Sequence, residues 1–104
     1  MKAFLIDPEQ KLVSTVDYDG DYKNIQKMIE AEYFTTVTVN SAQDALFVDD
    51  MGLYTKKSSF MVANYASPLK GKALLLGVDG EGDSVSPTLT YEEVVKMIKW
   101  EIGE

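Results

Sequence analysis

Three carboxylates alternate with other residues, mostly glycine, in the stretch GVDGEGDS, which runs from Gly77 to Ser84. Alternating acidic residues are typical of calcium-binding loops, which also need a glycine at the sixth position and a glutamate at the twelfth. Counted from Asp79, a serine and a threonine occupy those two positions. Three carboxylates would also repel a phosphate group. The sequence therefore favours a turn, with Asp79, Glu81 and Asp83 as a weak candidate metal site.

Two further groups of aspartates raise the same question. In DYDGD, Asp17–Asp21, the glycine stands fourth instead of sixth, and Asp21 is well placed to cap a helix. Asp49 and Asp50 adjoin a predicted hairpin and could share acid–base chemistry if their environments separated their pKa values. Neighbouring residues on a strand point to opposite faces, so turn chemistry is the favoured interpretation.

A basic segment interrupts this acidic chain. Residues 51–78 contain four lysines and no carboxylate, whereas the whole chain has 17 Asp and Glu and a net charge of −7. Lysines interleaved with aromatic residues are typical of single-strand nucleic-acid binding, but four lysines are few, and no specific nucleic-acid binding is expected. The stretch Asn64–Pro68 is predicted to be a loop that could touch a small ligand. The candidate partner-binding residues are Asp49, Asp50, Lys56, Lys57, Tyr65, Lys70 and Lys72.

The chain contains no His and no Cys, and all ten of its basic residues are lysine. The usual neutral-pH base, the thiolate nucleophile and the common zinc ligands are therefore missing, and so is arginine, the preferred ligand of phosphate and guanine. An enzyme using two carboxylates would need a cleft, for which a short chain has little room. We expect no enzyme activity, no catalytic residues and no cofactor.

Length and hydropathy predict one globular domain over residues 1–104. Its apolar runs, such as Ala3–Ile6 and Ala73–Leu76, are too short for a signal peptide or a membrane span. The expectation is a cytoplasmic protein that does not bind membranes.

Alternating and apolar runs predict about six short strands, mostly connected by hairpins. Lys2–Asp7 and Leu12–Tyr18 are expected to form an N-terminal hairpin, and Lys72–Val78, the most apolar strand, is expected at the centre of the sheet. The other predicted strands are Thr35–Val39, Ala45–Asp49 with Leu53–Tyr54 across a turn at Gly52, and Phe60–Ala63.

Two segments have helical spacing. The first begins after Asp21 and is predicted to end near Ala31–Tyr33, and the second begins at Thr90 with a capping box completed by Glu93. The predicted buried stripes are Tyr22, Ile25, Ile29 and Tyr33 in the first helix, and Val94, Val95, Ile98 and Ile102 in the second. The predicted fold is α+β, with two amphipathic helices packed on a mainly antiparallel sheet.

Four stretches taken in order resemble a known family: MKAFLIDPE, DGDY, LFVDDMGL and PLKGKALLLGVDGEGD. They are similar to DUF3846, a "domain of unknown function" of short phage and plasmid proteins, and the likeness covers nearly the whole chain. The resemblance implies an accessory protein of a bacteriophage or mobile element, and it implies no catalytic residues.

The functional hypothesis is a small acidic, non-catalytic protein that binds a host or phage macromolecule, most simply a protein, as a monomer or homodimer. One alternative is a mimic of DNA charge that inhibits a DNA-binding protein. A second is a weak cation- or ligand-binding module built on Asp17–Asp21 or Asp79–Asp83. The least favoured alternative is a carboxylate-based enzyme.

Overall fold

The computed structural model of the chain describes residues 1–40, 42–50, 58–63 and 65–100. Within these residues, nine strands and two helices confirm the predicted α+β class. The elements in chain order are β1 (Lys2–Asp7), β2 (Leu12–Asp17), α1 (Tyr22–Ile29), β3 (Phe34–Thr38), β4 (Ala45–Asp49), β5 (Ser59–Val62), β6 (Tyr65–Lys70), β7 (Ala73–Val78), β8 (Ser84–Val85), α2 (Tyr91–Met97) and β9 (Ile98–Trp100).

The larger sheet has six strands, in the order β2-β1-β7-β4-β3, with the short β8 pairing with β7. All of these pairings are antiparallel, and β1 and β2 form the predicted hairpin. Strand β7 lies between β1 and β4, so the most apolar strand is central, as predicted. Its residues Ala73 to Gly77 are buried, which fits a strand covered on both faces.

Helix α1 covers one face of this sheet. Ile25 and Ile29 of α1 belong to one apolar cluster with Leu74 and Leu76, which point to this face of β7. The buried ring of Tyr18 joins the same cluster, and burial raises the pKa of its hydroxyl group.

The second sheet, in the order β6-β5-β9, packs with α2 against the opposite face. Phe4 and Leu75 of the larger sheet share an apolar cluster there with Phe60 of β5 and Val94 of α2. Phe60 also meets Trp100 edge to face, with ring centroids 6.4 Å apart. The described part of the chain therefore forms three layers, and the larger sheet is the middle one.

Helix α1 begins as predicted but ends earlier. Asp21 caps it by accepting a hydrogen bond from the backbone amide of Lys23 at 3.0 Å. The helix ends at Ile29 because Glu30 adopts a left-handed conformation, φ 57°. The prediction of a buried stripe was right for Ile25 and Ile29 and wrong for both tyrosines: Tyr22 is 61% exposed and Tyr33 is 60% exposed.

Helix α2 has the predicted capping box, in which Thr90 and Glu93 satisfy each other's backbone amides. The predicted buried stripe was right for Val94 and Ile98 and wrong for Val95, which is 44% exposed, and the helix itself ends at Met97. Ile98 is extended and pairs with Val62 as the first residue of β9. Ile102 lies outside the described residues.

The predicted loop at Asn64–Pro68 is wrong for Tyr65 to Pro68, which form the first part of β6. Proline is compatible with this position because β6 is an edge strand. The predicted hairpin strand Leu53–Tyr54 and its turn at Gly52 lie outside the described residues. Neither helix in the described part of the chain has the length and apolar content needed to cross a membrane.

Candidate functional site

The acidic stretch after β7 folds into the predicted turn, organised by Asp79. One oxygen of its side chain, Oδ1, accepts hydrogen bonds from the backbone amides of Glu81 and Asp83, both at 2.9 Å. The Asp79 backbone amide donates to the Asp83 carbonyl at 3.0 Å, and Gly82 has a positive φ of 87°. These hydrogen bonds explain the aspartate at position 79, and the positive φ explains the glycine at position 82.

The turn also brings its three acidic side chains together. Asp79, Glu81 and Asp83 are all exposed, and one carboxylate oxygen of each lies within 4.8 Å of the others. The sequence predicted these three residues as a weak candidate metal site within a turn. Since exposed acidic groups are often this close without an ion, the cluster alone does not assign a metal.

Replacing Asp79 with alanine is expected to lower the free energy of unfolding by about 1–2 kcal/mol, since two amides lose their acceptor at an exposed site. Asp79→Asn keeps an oxygen acceptor and should lose less than half of that. Urea denaturation measures both variants, with Glu81→Gln as a control because its side chain takes no part in these bonds. An Asp79→Ala variant as stable as the wild type would contradict this role.

In Asp17–Asp21 the carboxylates serve the start of α1 and the chain terminus. The backbone amide of Asp21 and the side chain of Asn24 donate to Asp19 at 2.9 and 2.6 Å, and these hydrogen bonds lower the pKa of its carboxyl group. Asp17 lies 3.2 Å from the N-terminal ammonium group. These partners explain the three aspartates without a shared ion.

The adjacent pair Asp49 and Asp50 is divided between the end of a strand and the turn that follows. Asp49 is half-buried on β4, opposite Phe34, whereas Asp50 is exposed. The Asp50 amide donates to the Tyr33 carbonyl at 3.1 Å, which places Asp50 beside an exposed tyrosine. Because Asp50 lies in the turn that follows β4, this arrangement fits the favoured interpretation of turn chemistry.

The basic segment is partly neutralised. Lys72 forms an ion pair with Glu30 of the α1 C-cap, and this hydrogen bond raises the pKa of Lys72. Lys70 ends β6, and Tyr65 at the other end of the same strand is partly exposed. The other two candidate residues, Lys56 and Lys57, lie outside the described residues. Lys72, one of the four lysines that suggested nucleic-acid binding, is therefore already paired with a carboxylate.

A surface pocket of about 150 Å³, which the sequence patterns did not predict, lies next to this ion pair. Asp7 at its wall is almost fully buried, and its Oδ1 accepts from the Glu9 and Gln10 amides at 3.1 and 3.3 Å. Those bonds close the β1–β2 hairpin, so Asp7 serves the fold. The pocket is lined by Asp7, Pro8, Glu9, Ile29, Glu30, Ser58, Gly71 and Lys72.

A buried carboxylate, that of Asp44, was missed by the sequence interpretation. Its side chain is 0% exposed and accepts hydrogen bonds from the Thr88 amide at 3.0 Å, the Thr88 hydroxyl at 2.6 Å and the Leu89 amide at 3.2 Å. The side-chain amide of Asn40 donates to it at 3.1 Å. Asp44 thus joins the β3–β4 turn to the segment that leads into α2.

The dimensions of the molecule bear on the hypothesis of DNA mimicry. Its longest extent is 40 Å, and duplex DNA of that length carries roughly 24 negative charges. The net charge of this chain is −7. The negative charge of this chain is therefore much smaller than that of a DNA segment of the same length, and this difference disfavours charge mimicry.

Comparisons with known proteins give a family but no activity. A family model described as "Domain of unknown function (DUF3846)" matches residues 1–99. The chain is similar to "Uncharacterized protein y4iR" of Sinorhizobium fredii (strain NBRC 101917 / NGR234), with 33% identity over 100 residues, which is 93% of this chain. It spans 62% of the length of that relative. No solved structure matches the chain.

Proposed function

The chain belongs to the DUF3846 family, and from that premise we propose that it is a non-catalytic protein that binds a basic partner protein. We propose further that it acts in the host cytoplasm as an accessory protein of a phage or mobile element. The phage and plasmid context of the sequence resemblance supports this second part.

The observation that carries the proposal is a pair of exposed tyrosines, one at the start of α1 and one four residues after its end. Tyr22 and Tyr33 are 61% and 60% exposed. Tyrosine is enriched at the centres of protein interfaces because its ring supplies contact area at low entropic cost. Two such rings, one on the first residue of α1 and one in the segment after the helix, offer two separate anchors for a partner.

The charged residues next to these tyrosines indicate which class of partner they would bind. The exposed carboxylates of Asp19, Asp21 and Glu32 flank the two rings in the chain, and we call these three residues with Tyr22 and Tyr33 the tyrosine–carboxylate surface. Carboxylates attract lysine and arginine, and both cations also stack favourably on tyrosine rings. These three carboxylates outnumber the exposed Lys23 beside Tyr22, so the local charge is unfavourable for a phosphate backbone and favours a basic protein over a nucleic acid.

The earlier partner-binding candidates relate to this surface unequally. Asp50 adjoins it through its hydrogen bond to Tyr33, so we propose Asp50 as its extension. Asp49, Tyr65 and Lys70 stay predictions without a structural argument in their favour, as do Lys56 and Lys57. Lys72 is the least favoured of the set because Glu30 already engages it.

The proposal is tested by affinity purification of the tagged chain from the cell in which it occurs. We expect a stoichiometric protein of high isoelectric point, bound more weakly as salt rises. Tyr22→Ser combined with Tyr33→Ser should weaken that binding by more than about tenfold, since interface tyrosines are frequent hot spots.

Tyr91→Ser provides the matched control, because Tyr91 is also an exposed tyrosine but lies on α2 in a different layer. Near-wild-type binding is expected for this variant. The proposal would be overturned if no stoichiometric partner were recovered, or if the double variant bound the partner as tightly as the control.

A further inference from the structure

The edge strands of the fold differ in how they are protected. Within the described residues, β2, β3, β6, β8 and β9 have a strand neighbour on one side only. Natural edge strands are shielded from pairing with other chains by charges, proline or shortness. Strand β2 carries Asp17, β6 carries Pro68 and Lys70, β9 carries Lys99, and β8 has only two residues.

Strand β3 has none of these protections. Its five residues, Phe34–Thr38, read FTTVT, with no charge and no proline. Four of them are β-branched, and such residues favour strand pairing. A strand of this composition at a free edge is a template for another strand.

The hydrogen-bond pattern shows which backbone groups β3 presents. The Asp50 amide bonds to Tyr33 and the Val39 amide bonds to Asp44, so the odd-numbered residues of β3 face β4 in the antiparallel ladder. The amides and carbonyls of Phe34, Thr36 and Thr38 therefore point away from β4. These are the groups that an added strand would meet.

We infer that β3 pairs with β3 of a second copy of this chain, antiparallel about a two-fold axis at Thr36. In that register Thr36 faces Thr36, and Phe34 faces Thr38 of the second copy. All three outward residues of each strand then lie in hydrogen-bonded pairs. The larger sheet, in the order β2-β1-β7-β4-β3, would then continue through β3 of the second copy, and the two copies would share one sheet.

Charge favours a second copy as the occupant. The acidic end of β3 carries Glu32, which in this register faces the uncharged Asn40 of the second copy. The two Glu32 residues then lie about 26 Å apart along the strands, well beyond the screening length of about 8 Å at physiological salt. Two acidic chains can therefore meet along this edge without opposing like charges.

The affinity should be modest. One five-residue strand pair buries less than the roughly 1,200 Å² typical of a stable interface. We therefore expect a monomer–dimer equilibrium in the micromolar range, visible by sedimentation equilibrium between micromolar and millimolar chain. Thr36→Pro should weaken the dimer by more than about tenfold, because it removes an outward amide without breaking a bond to β4.

A crosslinking experiment tests the register directly. The chain has no cysteine, so Thr36→Cys and Thr38→Cys each introduce a single thiol on the same strand and face. Two residues at position 36 would lie within disulfide range, whereas two at position 38 would be about 13 Å apart. Oxidation at micromolar concentration should link Thr36→Cys into a dimer and leave Thr38→Cys monomeric.

The proposal is overturned if the wild-type chain stays monomeric up to millimolar concentration. It is also overturned if Thr36→Pro, shown by circular dichroism to be folded, dimerises as well as the wild type, or if Thr38→Cys crosslinks as readily as Thr36→Cys. Thr15→Lys on the β2 edge is the control, and it should leave the dimer unchanged. Each of these variants leaves the five residues of the tyrosine–carboxylate surface unchanged, so loss of the dimer, measured by sedimentation, is distinguishable from loss of the basic partner, measured by affinity purification.

Discussion

Replacing Asp44 with alanine is expected to lower the free energy of unfolding by about 3–5 kcal/mol. The Thr88 amide and hydroxyl, the Leu89 amide and the Asn40 side chain all donate to this one carboxylate. The alanine variant would leave these donors without their acceptor in a site that water does not reach. The loss is a large part of the roughly 5–15 kcal/mol that stabilises a domain of this size.

Two milder variants separate the hydrogen bonds from general disruption at this position. Asp44→Asn keeps one carbonyl oxygen and should cost about 1–3 kcal/mol, and Thr88→Val, which removes the 2.6 Å hydroxyl bond, should cost about 1–2 kcal/mol. Asp17→Ala is the control, since Asp17 is exposed and its ion pair with the N-terminus is worth at most about 1 kcal/mol. Urea denaturation gives all four values. Equal losses for Asp44→Ala and Asp17→Ala would contradict the role of Asp44.

Sequence predicted the parts of this fold that are set by neighbouring residues. The capping box of Thr90 and Glu93 and the cap at Asp21 both act across two or three residues. The centrality of β7 follows from its continuous apolar composition. Each of these features depends on hydrogen bonds or burial that a short stretch of chain specifies by itself.

The parts that failed depend on contacts between distant residues. Asp44 and Thr88 are 44 positions apart, and the residues next to Asp44 in the chain give no indication that Thr88 would contact it. Ile98 continues the helical spacing of α2, yet its pairing with Val62 of β5 makes it a strand residue. Local periodicity cannot anticipate a tertiary partner of this kind.

The candidate site illustrates both outcomes. The turn at Asp79 was predictable because its hydrogen bonds span four residues or fewer. The exposure of Tyr22 and Tyr33 was not, because it depends on where α1 ends and how much of the sheet it covers. Once Glu30 stops the helix, Tyr33 falls outside the helical stripe and becomes surface. The interaction surface proposed above therefore arises from an early helix end, which periodicity alone could not place.

Replacing Gly77 with valine is expected to lower the free energy of unfolding by about 3 kcal/mol, and Gly77→Ala by about 1–3 kcal/mol. Gly77 lies at the end of the central strand, paired with Val85 of β8. A Cβ atom at this position would stand 2.5 Å from the backbone carbonyl oxygen of Ser86. Backbone atoms cannot rotate aside as a side chain can, so β8 must move away from β7.

The same octet supplies the controls for this prediction. A Cβ at Gly80 would meet nothing within 4 Å, so Gly80→Ala should leave stability unchanged or raise it by a few tenths of a kcal/mol. Gly82→Ala should cost about 1 kcal/mol for a different reason, since its φ of 87° strains any side-chain-bearing residue. Urea denaturation of the three alanine variants would then rank Gly77 as the most sensitive. Because only a close backbone contact predicts that order, a Gly77→Ala variant more stable than Gly82→Ala would show that β8 does not pack against β7 as described.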